Sequence, residues 1–186
     1  LEPYPSLGEV YRRVCLRHGF DADAAQVERA LAAIWRGDDP DFGVTPWQDL
    51  HTSDEHDRGM WIEITRLLHR KLGWPESSFE PWFEEIHRVF GTTEVWRPYD
   101  DVAPALAALT ARGIRVGIIS NWDSRLNAIV EALDLGPRMS CVLASAAVGI
   151  RKPDPAIFRR ALALTGVAAE ESAMIGDTPR DDVEGA

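Results

Sequence analysis

The chain has 186 residues, 45% of them hydrophobic, which is enough to bury a substantial core and excludes a disordered protein. Thirty acidic residues against twenty basic ones give a formal net charge of −10, so a nucleic-acid backbone would be repelled. The two cysteines lack the spacing of a zinc site or a disulfide framework, and no stretch approaches the roughly 20 apolar residues of a membrane span. We expect a cytoplasmic protein that binds neither nucleic acid nor a membrane.

The first half of the chain has helical periodicity. Apolar residues recur at spacings of three and four, and this pattern predicts four helices, which begin at Leu7, at Ala24, near Ser53 and at Phe79. Ser6 is predicted to cap the first helix, with Glu9 completing a capping box. A loop is predicted over 38–52. Four such helices can form a small bundle. Most of the tryptophans in or bordering this half are predicted to belong to its core, although some could line a substrate pocket at the domain boundary: Trp35, Trp47, Trp61, Trp74, Trp82 and Trp96.

After Trp96 the pattern changes to an alternation of strands and helices. The predicted elements, in chain order, are a helix over 101–112, a strand over 115–119, a helix over 126–135, a strand over 140–144, a helix over 155–165 and a strand over 173–175. Such alternation is typical of a parallel sheet covered on both faces, where ligands bind beyond the carboxyl ends of the strands. Since Ser120, Lys152 and Asp177 each follow a predicted strand, we expect them at one edge of the sheet.

Three carboxylates lie within six positions at the end of the chain, namely Asp177, Asp181 and Asp182. Carboxylates at close range repel one another, so such a cluster commonly holds a cation or a proton. Oxygen ligands without a nearby histidine or cysteine suit Mg²⁺. A second interpretation stays open: Asp181 and Asp182 could cap and charge the N-terminus of a helix that begins at Val183.

Polar residues that follow the other two strands could act on an anion. The ammonium group of Lys152 could neutralise a phosphate, or it could be a solvated loop lysine. Ser120 and Asn121 could cradle phosphate oxygens, or they could form a turn or an N-cap. Trp122 comes directly after them and is expected to face the site. The sequence argues against a nucleophilic serine, because such a serine needs a base and no histidine follows His87.

These residues resemble three motifs of the haloacid dehalogenase superfamily of hydrolases, in the family's order. Ser120 matches the second motif, Lys152 in Arg-Lys-Pro-Asp-Pro the third, and Gly176-Asp177 with Asp182 the fourth. The stretch 120–126, Ser-Asn-Trp-Asp-Ser-Arg-Leu, resembles the rhythmically-expressed-gene-two-like group of that superfamily. The resemblance spans about residues 97–186, and the helical half is similar to the family's cap in position and helix content.

The resemblance implies an α/β protein with a Rossmann-like parallel-sheet core and an inserted α-helical cap. Residues 1–5 would end a first core segment, residues 6–96 would form the cap, and residues 97–186 would continue the core, incomplete at both ends. The implied activity is Mg²⁺-dependent hydrolysis of a small phosphorylated metabolite through an aspartyl-phosphate intermediate.

The resemblance also implies a role for each matching residue. Ser120 would hydrogen-bond the phosphoryl group, with Asn121 and Trp122 beside it in the substrate-binding site. Lys152 would screen the charge that the nucleophile and the phosphate share. Asp177 would bind Mg²⁺, and Asp182 would support that site.

The family's first motif, which supplies the nucleophilic aspartate, is not found in these 186 residues. We expect it just upstream of Leu1, and we therefore expect the chain to be the middle of a longer protein and inactive alone. Two alternatives remain: a metal-independent 2-haloacid dehalogenase on the same core, and a non-catalytic binding or regulatory protein on this scaffold.

Overall fold

The computed structural model describes residues 1–36, 38–41 and 49–186, so Trp47 and the rest of 42–48 within the predicted 38–52 loop lie outside the described residues. The described residues divide into two compact units. One comprises the described residues within Leu1–Pro46 and Arg58–Tyr99, and the other comprises those within Trp47–Asp57 and Asp100–Ala186. The described segment 49–57, which falls in the range predicted as cap, therefore belongs with the second unit. Among the described residues, no helix is long and apolar enough to cross a membrane.

The predicted helices of the first half are all present. They are α1 (Leu7–Arg17), α2 (Ala24–Arg36), α3 (Asp54–Lys71), whose first turn lies in the second unit, and α4 (Phe79–Phe90). A short antiparallel pair, β1 (Glu2–Pro3) with β2 (Trp96–Arg97), joins the two ends of the first unit. In this pair the Arg97 Nε donates to Glu2 Oε1 at 2.7 Å.

The core of the first unit is built from the apolar stripes of its helices. Its fully buried members include Tyr11, Val27, Ile64, Trp82 and Ile86. The prediction that most tryptophans lie in this core is wrong for four of the five described ones. Trp82 is buried, whereas Trp35 is 36% exposed and Trp61, Trp74 and Trp96 are half-buried. A large indole ring often keeps an edge in solvent, which sequence periodicity does not reveal.

The predicted N-cap of α1 is confirmed, but the predicted capping box is wrong. Ser6 Oγ accepts from the backbone N–H of Glu9 at 3.3 Å. The Glu9 carboxylate, however, turns to Arg12 and Arg13, each at 3.6 Å. Glu28 of α2 instead accepts the backbone N–H of Gly8 at 2.9 Å. A contact between two helices therefore satisfies one of the free N–H groups in the first turn of α1.

The second unit contains the predicted alternation around a parallel strand pair. Its elements are α5 (Val102–Ala111), β3 (Gly117–Ser120), α6 (Arg125–Ala132), β4 (Cys141–Ala144), α7 (Ser145–Val148) and α8 (Pro155–Thr165). β3 and β4 pair in parallel, with Gly117 opposite Cys141 and Ser120 opposite Ala144. The fold is therefore α/β, as predicted. Leu126, Val130 and Ala144 form a small buried cluster beside this pair.

The predicted third strand is wrong. Residues 173–175 form no strand among the described residues, and the Ile175 side chain is 90% exposed. A strand is stabilised by a neighbour that pairs with its backbone groups, and the described part of the chain provides none for this segment. The helix predicted to begin at Val183 is also wrong in position, because a single π-helical turn spans Pro179–Glu184 and already contains Asp181 and Asp182.

Candidate functional site

The carboxyl end of β3 delivers Ser120 and Asn121. The β-branched run Ile118-Ile119 favours the strand, and Ser120 is its last residue, half-buried and opposite Ala144 of β4. The chain then turns, so the Asn121 side chain leaves the sheet at its carboxyl edge. This edge is where parallel sheets present ligand-binding groups.

The amide of Asn121 holds the backbone of Lys152. Its Oδ1 accepts from the Lys152 N–H at 2.8 Å, and its Nδ2 donates to the Lys152 carbonyl at 3.0 Å. The same Nδ2 also donates to Asp181 Oδ2 at 3.2 Å. Asn121 thus pairs with Lys152 much as a neighbouring strand would. The substrate-binding role predicted for Asn121 stays a prediction.

Lys152 and Asp182 form an ion pair that is almost fully shielded from solvent. The Lys152 Nζ lies 2.5 Å from Asp182 Oδ1, and the two side chains are 10% and 3% exposed. The other carboxylate oxygen, Oδ2, accepts from the Thr178 N–H at 3.0 Å. Burial by itself raises the pKa of Asp182, but the hydrogen bonds from Lys152 and Thr178 outweigh it and hold that pKa below its usual value. Asp182 is therefore ionised at neutral pH.

Asp181 is the neighbour of Asp182, yet its pKa is shifted in the opposite direction. Burial raises the pKa of Asp181 more than the positive charges of Arg180 and Lys152 lower it. The two adjacent acids therefore differ in pKa. Asp182 contacts the ammonium group of Lys152, whereas Asp181 contacts the neutral amide of Asn121.

Two glycines leave room for the acidic turn. A Cβ atom on Gly176 would overlap the Asp182 carboxylate, and one on Gly185 would lie 2.8 Å from both the Asp181 carbonyl and Pro153 Cα. Gly176 precedes Asp177 in the fourth motif, and the motif by itself gives this glycine no physical role. The structure shows that a side chain there would displace the carboxylate that faces Lys152.

The remaining predicted site residues differ in their exposure and in what they contact. The side chain of Asp177 is exposed, and its backbone N–H contributes to the lowered pKa of Asp182. Trp122 is half-buried and packs on the cluster of Leu126, Val130 and Ala144. The structure therefore brings together Asn121, Lys152, Asp181 and Asp182, while Trp122 contacts the hydrophobic core. The functional roles of Ser120, Trp122 and Asp177 stay predictions.

The donor chemistry of the acidic turn suits a hard cation. Among the described residues, no three His, Cys, Asp or Glu side chains are grouped so that they could hold a metal ion. Mg²⁺ does not require such a group, because it commonly binds one or two carboxylates and keeps several waters. Asp177 offers an exposed carboxylate, whereas both oxygens of Asp182 already accept hydrogen bonds. The residues fit a magnesium ion held mainly through Asp177.

Sequence reasoning missed a second polar cluster, in which segment 49–57 contacts Ser124, in the loop after β3, and Arg151, in the loop that carries Lys152. The Asp54 carboxylate accepts the Ser124 N–H at 2.8 Å and the Ser124 hydroxyl at 2.6 Å. Arg151, which precedes Lys152, donates to Asp57 Oδ1 at 2.7 Å. The 94-residue separation of that pair explains the omission, since no local pattern links the two residues.

The fold and this site define an α/β protein whose charged groups gather at the carboxyl end of a parallel strand pair. The haloacid dehalogenase-like hydrolase family matches residues 11–186, and the chain belongs to that family. It is 27% identical over 184 residues to haloacid dehalogenase-like hydrolase domain-containing protein 3 of Bos taurus, covering 97% of this chain and 70% of that protein. It is also 26% identical over 187 residues to the rhythmically expressed gene 2 protein of Drosophila melanogaster, covering 94% of this chain and 70% of that protein. The resemblance to that group is confirmed.

Two further similarities are to part of a phosphatase sequence and to a solved structure. The phosphoserine phosphatase of Thermus thermophilus is 43% identical over 90 residues, which is 47% of this chain and 36% of that protein. The crystal structure of a 2-haloacid dehalogenase from Pseudomonas syringae covers 99% of this chain and 76% of its own, with a TM-score of 0.54 and 22% identity. At that identity the structural likeness concerns the fold alone.

Proposed function

We propose that the protein is a Mg²⁺-dependent phosphatase acting on a small phosphorylated metabolite in the cytoplasm. The observation that carries the proposal is the shielded ion pair of Lys152 and Asp182 at the carboxyl end of β3 and β4, held there by Asn121. The partial likeness to a phosphoserine phosphatase supports phosphate esters as the substrate class.

Each residue has a task that follows from its chemistry. Lys152 places a fixed positive charge where a transferring phosphoryl group gathers negative charge, which phosphoryl transfer requires more than covalent chemistry. Asp182 keeps that ammonium group charged and oriented. The Ser120 hydroxyl, at the end of β3, donates to a phosphoryl oxygen. Because these groups are positioned before the substrate arrives, little reorganisation is needed during the reaction.

The metal would be held by Asp177, with Asp182 supporting the loop around it. When bound, Mg²⁺ supplies charge neutralisation for the phosphate oxygens. Asp177 is suited to this task because its carboxylate is exposed, while the backbone N–H that follows Asp177, that of Thr178, ties the turn to Asp182.

The test is an assay of the full-length protein against a panel of phosphate esters, with Mg²⁺ and then with EDTA. We expect turnover with Mg²⁺, its loss with EDTA, and its loss in both Lys152→Ala and Asp177→Asn. Lys71→Ala is the matched control, since Lys71 is the other lysine of the chain and pairs with Asp39 and Asp41 in the helical unit. If the folded protein hydrolyses none of the esters, the proposal is contradicted. Turnover of a 2-haloacid that survives EDTA would instead support a dehalogenase.

A further inference from the structure

The loop that carries Lys152 is held from two sides. Asn121 binds the Lys152 backbone from one side, and segment 49–57 binds the residues just before it from the other. The Arg151 N–H donates to the Leu50 carbonyl at 3.0 Å, and the Thr52 N–H donates to the Gly149 carbonyl at 3.2 Å. His51 and Ile150 form an antiparallel bridge between the same two stretches.

Buried charges reinforce this backbone pairing. Arg151 is 1% exposed, and its guanidinium donates to Asp57 Oδ1 at 2.7 Å and to Thr52 Oγ1 at 3.3 Å. Thr52 in turn donates to Asp57 Oδ1 at 2.5 Å. A guanidinium group is stable in a buried place only when it is paired with a counter-charge or hydrogen-bonded. The Asp57 carboxylate therefore favours the inward position of the Arg151 side chain.

We propose that Asp57 is a positioning residue, which acts through Arg151 to hold the 149–152 loop so that Lys152 meets Asp182. Arg151 and Lys152 are adjacent, and their side chains end at different carboxylates, Asp57 and Asp182. Fixing the first side chain restricts the backbone that carries the second. The inference rests on the proposed function for its catalytic meaning, whereas the positioning itself can be measured without turnover.

The chain has two lysines, Lys71 and Lys152, so ¹⁵N-lysine labelling gives two backbone amide signals. The Lys152 N–H donates to Asn121 Oδ1, so its hydrogen exchange reports whether the loop is held. Lys71, the last residue of α3, is the internal reference. In Asp57→Asn we expect the Lys152 amide to exchange about tenfold faster or more, relative to Lys71, because the loop opens locally.

Asp54→Asn is the matched control. Asp54 lies on the same helical turn and anchors the same segment, but to Ser124 rather than to Arg151. We expect this variant to leave the ratio of the two lysine exchange rates within about twofold of the original. In Asp57→Asn the buried Arg151 loses its counter-charge, which could prevent folding. The double variant Asp57→Asn/Arg151→Met removes both charges and should show the same loss of protection at the Lys152 amide.

An unchanged Lys152 exchange rate, or equal acceleration of both lysines, would overturn the proposal. In a full-length protein that hydrolyses phosphate esters, Asp57→Asn should lower kcat more than it changes KM, and an unaltered kcat would also overturn it. If the unmodified protein hydrolyses no ester, the proposed function fails, and the exchange measurement still decides whether Asp57 positions the loop.

Discussion

At the residue scale, the lack of a side chain at Gly176 leaves room for the Asp182 carboxylate. Because a Cβ atom there would overlap the Asp182 carboxylate, we expect Gly176→Ala to lower the free energy of unfolding by about 1–3 kcal/mol, as overpacking does. Urea denaturation measures this. Gly59→Ala is the control, since a Cβ on Gly59 meets no atom within 4 Å and an alanine in the helix should stabilise by roughly 0.5–1 kcal/mol. A stable Gly176→Ala protein would show that the carboxylate tolerates displacement.

Asp181 and Asp182 are adjacent acids with opposite pKa shifts, and they should respond differently to loss of charge. Asp182→Asn leaves the shielded ammonium of Lys152 without its counter-charge and turns an amide donor toward the Thr178 N–H. We expect a loss of about 3 kcal/mol in the free energy of unfolding at pH 7.

Asp181→Asn is the comparison for that variant. It keeps an acceptor for Asn121 and removes a charge that burial already disfavours, so its expected loss is below about 1 kcal/mol in the same urea experiment. Equal losses in the two variants would mean that the Lys152 pair contributes little.

At the scale of elements, α8 begins where the sequence predicts because its start signals are local. Asp154 Oδ1 accepts the Ala156 N–H at 2.8 Å, and Pro155 occupies the first helical position. We expect Asp154→Ala to destabilise the protein by about 1 kcal/mol. Asp101 precedes α5 without a side-chain cap hydrogen bond, so Asp101→Ala should leave the unfolding midpoint nearly unchanged. Similar shifts for both variants would assign the effect to charge rather than to capping.

Other elements could not be located from local signals. The 173–175 segment has the composition of a strand, but strand formation depends on a partner elsewhere in the chain, and none of the described residues pairs with it. The predicted capping role of Glu9 also failed, because its carboxylate lies near Arg12 and Arg13, while Glu28 of another helix accepts the Gly8 N–H. Patterns within one element describe that element, whereas its partners come from distant sequence.

At the scale of the molecule, the helical unit contains a buried histidine that should make stability depend on pH. His69 is fully buried, its Nε2 lies 3.0 Å from Ser78 Oγ, and Trp74 and Trp82 surround it at ring-centroid distances of 5.4 Å. Burial lowers the pKa of His69 from its usual 6.5. Between the lowered pKa and 6.5 the unfolded chain binds more protons than the folded one, so the free energy of unfolding falls as pH drops below about 6.5.

We expect tryptophan fluorescence in urea to show this loss, and His69→Phe to reduce it because the ring no longer titrates. The exposed His51 provides the control, and His51→Gln should keep the original pH dependence. A His69→Phe protein with an unaltered pH profile would exclude His69 as the cause.

The sequence by itself determined the four helices of the first half, the segments that form β3 and β4, the start of α8, and the motifs that identify the family. These features depend on periodicity, capping and turn residues, which act between neighbours a few positions apart. The tertiary structure decided that Lys152 meets Asp182, that Asn121 holds the Lys152 backbone, and that Asp57 pairs with Arg151. Those contacts join residues 30, 31 and 94 positions apart, and their energies depend on burial and charge pairing that exist only once the chain has folded.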